Sequence, residues 1–115
     1  MRLLICGDRK WSNKESIKQE LITIQPDIVI HGACRGADQL ADEAAKELGI
    51  ECSSYPAQWY TYGKAAGPIR NQRMIDEGNP DFVLAFHSDI ANSKGTKDMV
   101  ERAYLSGIPT RVIRQ

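Results

Sequence analysis

The loop that follows the first apolar run of the chain carries residue types suited to binding an anion. Gly7 permits a close turn of the backbone, and the planar guanidinium of Arg9 can pair with a phosphate or a carboxylate. An ordinary turn with a solvated arginine explains the same two residues, so this loop alone does not identify a site.

The loop after the second apolar run, His31 to Asp38, is a stronger candidate. It holds Gly32, Arg35 and Gly36 and leads directly into a helical pattern, where free backbone N–H groups and the helix dipole attract anions. Arg35 adds a charged donor, and Asp38 can cap N–H groups or bind a ligand hydroxyl. The alternative is a tight turn, with glycines for packing and Asp38 as a helix-start residue.

A third loop, after the fourth apolar run, ends in Ser93, Gly95 and Thr96 at another predicted helix start. Gly95 permits a ligand to approach the backbone closely, and Thr96 offers both a hydroxyl and an N–H. Thr96 as an N-cap is the alternative. Two such helix starts at one edge of a sheet favour a phosphate site.

The segment from Tyr55 to Asn71 is the most unusual part of the chain, because it holds four of the eight aromatic residues. An aromatic face can stack on a base, and Arg70 and Asn71 can reach a phosphate or a ribose. Aromatic residues are also enriched at interfaces, so edge sealing or a dimer contact stays open. We expect the side chains of Arg35 and Arg70 to meet on the same ligand.

Strand-like and helical patterns alternate along the chain and must position these loops. The predicted strands are Arg2–Cys6, Asp27–His31, Ile50–Ser54, Asp81–Phe86 and Thr110–Ile113. The predicted helices are Ser12–Ile24, Arg35–Leu48, Gly67–Glu77 and Thr96–Leu105, with a long loop from Tyr55 to Ala66. Ser12 and Glu15 have the spacing of a capping box, and the apolar spacing predicts that Met99 and Tyr104 face inward.

Strands that alternate with helices predict βαβ units and a parallel sheet. The third and fifth strands carry Glu51 and Arg111, which suits edge strands, whereas the other three are nearly all apolar. Together with the rule that crossovers are right-handed, this division of strands predicts one α/β domain over residues 1–115. We expect a Rossmann-like doubly wound parallel sheet of five strands in the order 3-2-1-4-5, with helices on both faces. Ligands bind such sheets at the carboxyl ends of the strands. His31 and His87, which end two central strands, would face that cleft.

Composition excludes several classes of protein. The 115-residue chain has 15 Lys plus Arg and 15 Asp plus Glu, and this balance argues against binding to nucleic acid or to a membrane surface. Its three cysteines match no metal-ligand spacing, so we expect no metal and no cofactor, and they favour a reducing compartment. No apolar run reaches the ~20 residues of a membrane span, and the start lacks a signal-peptide pattern. We therefore expect a cytoplasmic protein.

Taken together and in this order, four motifs resemble the SLOG superfamily: segments 31–38, 63–71 and 93–96, and Gly7-Asp8-Arg9 with Trp11. The similarity is to the small YspA/cpYpsA-related branch, which is common in bacteria and phages, and it covers nearly the whole chain. It implies a domain that binds a nucleotide or a nucleotide-derived molecule and that forms a homodimer or higher oligomer. By position, the resemblance assigns one side of the site to Gly32, Arg35, Gly36 and Asp38, the phosphate to Gly95 and Thr96, and closure over the ligand to Arg70 and Asn71.

The superfamily also includes DNA-processing proteins and the Lonely Guy phosphoribohydrolases, which cleave the N-glycosidic bond of a nucleoside monophosphate. The phosphoribohydrolase motif places a glutamate three residues after the threonine, and Met99 stands at that position here. The sequence therefore favours a domain that senses or sequesters a phosphorylated small molecule. The alternative is an N-glycosidase acting on a nucleotide or an NAD-like molecule, with Asp38 or Glu101 as the acid or base.

Overall fold

The computed structural model describes residues 1–115, and its five strands form one parallel sheet. The strands are β1 (Arg2–Gly7), β2 (Ile28–His31), β3 (Glu51–Ser54), β4 (Phe82–Phe86) and β5 (Thr110–Ile113). Their spatial order is β3-β2-β1-β4-β5, and every neighbouring pair is parallel, with Leu4 of β1 opposite Ile30 of β2 and Val83 of β4. The predicted fold class and strand order are confirmed.

Helices cover both faces of this sheet. Successive residues of a strand point to opposite sides, so the apolar strands present an apolar surface on each face for helices to cover. They are α1 (Lys14–Ile24), α2 (Ala37–Glu47), α3 (Trp59–Tyr62), α4 (Ala66–Asp76) and α5 (Gly95–Leu105), with 3₁₀ turns at Gly63–Ala65 and Ile90–Asn92. Leu3 and Ile5 belong to the core under α1 and α2, and Leu4 belongs to the core under α4 and α5. The loops at the carboxyl ends of the strands are thereby fixed between two packed layers.

The start of α1 differs from the sequence prediction. Its N-cap is Asn13, whose side-chain oxygen accepts a hydrogen bond from the Ser16 N–H at 3.1 Å. The predicted capping box of Ser12 and Glu15 is therefore wrong. Asparagine caps at least as well as serine, and here it stands one residue later, directly before the helix.

The start of α2 is also later than predicted, at Ala37 rather than Arg35. Gly36 has a φ of 71° and a ψ of −123°, which is not helical. A Cβ at Gly36 would lie 2.3 Å from the carbonyl oxygen of Asp8, so two loops cross in contact there. This crossing fixes the start of the helix and leaves Arg35 in the preceding loop.

Two further predictions are corrected by the structure. The stretch predicted as a long loop from Tyr55 to Ala66 contains α3 and a 3₁₀ turn. Tyr104, predicted to face inward, is 80% exposed, because its neighbour Ala103 takes the buried position and successive helical residues differ by about 100° in direction. As predicted, Met99 is buried. None of the helices is long and apolar enough to span a bilayer.

Candidate functional site

A cleft of about 370 Å³ lies at the carboxyl ends of β1 and β4, where the strand order reverses. This switch point is where doubly wound sheets bind ligands, and its volume lies within the range of small-molecule sites. Nine of the candidate site residues singled out from the sequence line it: Gly7, Arg9, Asp38, Arg70, Asn71, His87, Ser93, Gly95 and Thr96. The strands thus bring together loops that are up to 89 positions apart in the chain, from Gly7 to Thr96.

A second, smaller groove of about 260 Å³ adjoins the cleft and receives two other predicted residues, Gly32 and Arg35. Gly36 lines neither cavity, because it packs against the backbone of Asp8 and Arg9. Glu101 is exposed on α5 and also lines neither cavity. Of the two carboxylates considered for acid–base chemistry, only Asp38 therefore reaches the cleft.

Asp38 holds the β2–α2 loop in place. One of its carboxylate oxygens accepts hydrogen bonds from the N–H groups of Gly32 at 3.0 Å and Cys34 at 3.2 Å. The Ala33 N–H donates to His31 Nδ1 at 3.0 Å, and the Ala37 N–H donates to a carbonyl of the β1–α1 loop. The prediction of free amides in this loop is therefore wrong at these positions, since protein groups already bind them.

Arg70 holds the same loop from the opposite side. Its buried guanidinium donates to the carbonyl oxygen of Gly32, to Asn71 Oδ1 at 3.0 Å, to the Tyr55 carbonyl at 3.4 Å and to Cys34 Sγ at 3.6 Å. All four partners are uncharged groups. The carboxylate of Asp38 is near, but it does not hydrogen-bond the guanidinium. A buried cation without an anion in direct contact favours one, because the low dielectric strengthens the attraction. Arg70 lines both cavities.

The start of α5 forms the opposite wall of the cleft. The Ser93 hydroxyl accepts a hydrogen bond from the Thr96 N–H at 3.1 Å, so Ser93 caps the helix and Thr96 lines the cleft. Asn71 Nδ2 donates to Asp98 Oδ2 at 2.9 Å and to the Gly95 carbonyl at 3.3 Å. Because Asn71 also accepts from its neighbour Arg70, one hydrogen-bonded chain joins the β2–α2 loop to the start of α5.

The glycines of the site divide into two kinds. A Cβ on Gly7 would lie 2.4 Å from the Phe86 carbonyl oxygen, and one on Gly32 would lie 2.5 Å from the Arg70 guanidinium. Packing within the protein explains these two glycines, as it explains Gly36. Gly95 is different, because a Cβ there would have no atom within 4 Å. Packing within the protein therefore does not explain the glycine at position 95. Close approach of a ligand to the backbone would explain it.

Burial sets the protonation of two groups at the floor of the cleft. Desolvation raises the pKa of Asp38, against the opposing effects of the Cys34 N–H and the charges of His31 and Arg70. Desolvation and the negative charge of Asp38 raise the pKa of the Cys6 thiol far above its ordinary value. Cys6 is therefore a neutral, unreactive wall residue.

Sequence reasoning missed several residues that line the cleft. Asp8 is one of them, and it faces His87, which the sequence did place at the cleft, with 4.0 Å between Asp8 Oδ2 and His87 Nε2. Lys10 and Lys94 also line it. The available signal was position alone, since each lies within four residues of a glycine or strand end already singled out.

His31 does not line the cleft, although the sequence predicted that it would face His87 there. Its side chain instead forms a cluster with Asp42 and Cys52, whose ligating atoms lie within 4.8 Å of one another. His31 Nδ1 accepts the Ala33 N–H, so the neutral ring carries its proton on Nε2 and donates it to Asp42 at 2.9 Å. Burial raises the Cys52 pKa to about 11. Both the proton on Nε2 and the neutral thiol oppose metal binding, and the cluster is a hydrogen-bonded support for the loop.

Basic side chains are concentrated at the cleft, although the chain as a whole has no net charge. Four basic residues line the cleft, but only two carboxylates do. The basic residues are Arg9, Lys10, Arg70 and Lys94, and the carboxylates belong to Asp8 and Asp38. Such local concentration attracts anions even when the overall charge is balanced.

Comparisons with known proteins identify a phage relative, a solved structure of similar fold and a family. The chain is 33% identical to Gene 61 protein of Mycobacterium phage D29 over 118 residues, which cover 94% of this chain and 92% of that protein. Its fold resembles the X-ray structure of DNA processing protein A (DprA) from Streptococcus pneumoniae, with a TM-score of 0.76 and 17% identity. That match covers 96% of this chain but only 49% of the DprA chain, and it shows the fold alone. The family model for the YspA, cpYpsA-related SLOG family matches residues 1–62, and the chain belongs to this family.

Proposed function

We propose that the chain binds a nucleotide or nucleotide-derived phosphorylated small molecule in the switch-point cleft, as a sensor or sequestering domain. The observation that carries the proposal is the excess of basic side chains at this cleft in a chain without net charge. Membership of a SLOG family supports a nucleotide-related ligand. The cleft has a volume of about 370 Å³, which suits a small molecule better than a nucleic-acid duplex.

The phosphate is assigned to the start of α5. Gly95 leaves open space beside the first turn of the helix. The Thr96 N–H is already bound to Ser93 Oγ, but the helix dipole and the other N–H groups of this turn favour an anion. Lys94 stands next to it, and Arg70 faces it from the other wall. The charge of Asp38 already acts on Arg70, and the ligand anion would add an opposite charge in direct contact with a guanidinium whose hydrogen-bond partners are all neutral.

Thermal shift and calorimetry with the four nucleoside 5′-monophosphates test this proposal. We expect at least one of them to stabilise the protein, since a ligand at 100 times its Kd adds ~2.7 kcal/mol. Gly95→Val should fold normally and lose this binding, because its side chain enters open space in the cleft.

Ala91→Val is the matched control, because it adds a branched side chain at an exposed position of the same β4–α5 segment outside the cleft. No stabilisation by any of the four nucleotides, or equal affinity of Gly95→Val and wild type, would contradict the proposal.

Catalysis of N-glycosidic bond cleavage is the second candidate, and the raised pKa of Asp38 in the cleft favours it. Two features weigh against it. Asp38 is already bound to two N–H groups of the loop. Met99 lines the cleft where the phosphoribohydrolase motif has glutamate. Incubation with nucleoside monophosphates and with NAD, followed by chromatography for free base, separates the two functions, and we expect no base to be released.

A further inference from the structure

We propose that the groove beside the cleft is a second subsite, which binds a second anionic group of the same nucleotide. The ligand would then carry two separated anionic groups, as in a nucleoside 3′,5′-bisphosphate, rather than one. This inference rests on the function proposed above and specifies its substrate class.

Charge is the first observation. Three arginines and no carboxylate line the groove: Arg9, Arg35 and Arg70. Arg9 and Arg35 are exposed and form no ion pair with any carboxylate of the chain, unlike Arg73, Arg102 and Arg111. Three cations around one groove repel one another, and an anion bound between them relieves this repulsion.

Continuity with the cleft is the second observation. Arg9, Cys34 and Arg70 line both cavities, so one molecule can extend from the start of α5 into the groove. A guanidinium has five N–H donors. The protein engages four of those of Arg70, one on Nε, two on Nη1 and one on Nη2. One Nη2 hydrogen therefore stays available at the junction of the two cavities.

The conformation of Ala33 in the wall of the groove is a third, independent observation. Its φ is 58°, in the left-handed region that alanine rarely adopts. Hydrogen bonds from Ala33 to His31 and from its two neighbours to Asp38 hold the loop in this shape. Conformations that neighbours must enforce in this way cluster at ligand sites. The half-exposed ring of Trp59 forms the outer wall, a flat apolar face for the sugar or base of the ligand.

The test compares calorimetric affinities of three sets of nucleotides, each in the four bases: 5′-monophosphates, 5′-diphosphates and 3′,5′-bisphosphates. We expect a bisphosphate to bind at least tenfold more tightly than its monophosphate. The diphosphate, whose second phosphate adjoins the first, should gain less.

Arg35→Gln should remove the difference between bisphosphate and monophosphate. Arg114→Gln is the control, because it removes the same charge from an exposed arginine outside both cavities and should preserve that difference. Monophosphates that bind as tightly as bisphosphates would overturn the second subsite and leave the proposed function standing. An equal gain with the diphosphate, or equal effects of the two variants, would overturn it as well. Failure of all three sets to bind would refute both proposals.

Discussion

Arg70→Gln should destabilise the unliganded protein, because Arg70 is both a candidate ligand residue and a buried support of the β2–α2 loop. Of its four hydrogen bonds, those to the Gly32 carbonyl and to Asn71 Oδ1 are the short ones, and the other two are 3.4 and 3.6 Å long. Hydrogen bonds that involve a charged group contribute about 1.5–3 kcal/mol each. The shorter glutamine can replace at most one of the two strong contacts, and Asp38 loses a nearby positive charge. We therefore expect a loss of about 3 kcal/mol in the free energy of unfolding.

Urea unfolding and thermal melts without ligand measure this loss, which for a domain of this size corresponds to about 12 °C in Tm. Arg35→Gln is the matched control. Arg35 is exposed and forms no ion pair, so its variant should melt within about 2 °C of the wild type. An Arg70→Gln variant that melts as the wild type does would refute the assignment of the guanidinium as a support of the loop.

Three further predictions concern stability and assembly. Hydrogen bonds from Lys46 and then from His31 lower the pKa of Asp42 to about 2. The stabilisation by this carboxylate is therefore present above its ordinary pKa of 3.8 and is lost as the pH falls towards about 2. The Tm difference between wild type and Asp42→Asn should shrink over that pH range, and a constant difference would contradict the prediction. Gly36→Ala should lower the free energy of unfolding by about 3 kcal/mol or more. Gly49 has a similar φ of 72° but open space around it, so Gly49→Ala should lower this free energy by about 1 kcal/mol. Equal Tm losses would show that the loop crossing at Gly36 is not rigid. The protein should form a dimer at micromolar concentration, given its exposed Trp59, Tyr60 and Tyr62, and a monomer mass in multi-angle light scattering would contradict this.

The sheet could be predicted from the sequence because the polarity of each strand can be read from its own residues. Glu51 and Arg111 indicate edge strands, and the familiar doubly wound order 3-2-1-4-5 satisfies both this division and the crossover rule. The loops of the site followed from the same order, because the carboxyl ends of parallel strands meet at one edge. The start of α1 was missed by two residues, since both Ser12 and Asn13 are good N-caps and only the structure shows that Asn13 accepts the Ser16 N–H.

The roles of the site residues could not be predicted, because they depend on contacts between distant parts of the chain. Arg70 binds the carbonyl of Gly32, which lies 38 residues away, and arginine is ordinarily exposed. Asp38 satisfies amides that local reasoning left free for a ligand. Whether a glycine serves packing or a ligand depends on what faces its missing Cβ, and this separates Gly95 from Gly7 only in three dimensions.

The most direct test of the central claim is a titration of the ¹⁵N-labelled protein, followed by amide chemical shifts, with the nucleoside monophosphate that gives the largest thermal shift. If the phosphate binds at the start of α5, the amides of Gly95 and Thr96 should show the largest saturable changes, with those of the Gly7–Arg9 loop close behind. The account would be contradicted if no amide shifted saturably up to millimolar nucleotide, or if the saturable changes lay only outside the cleft.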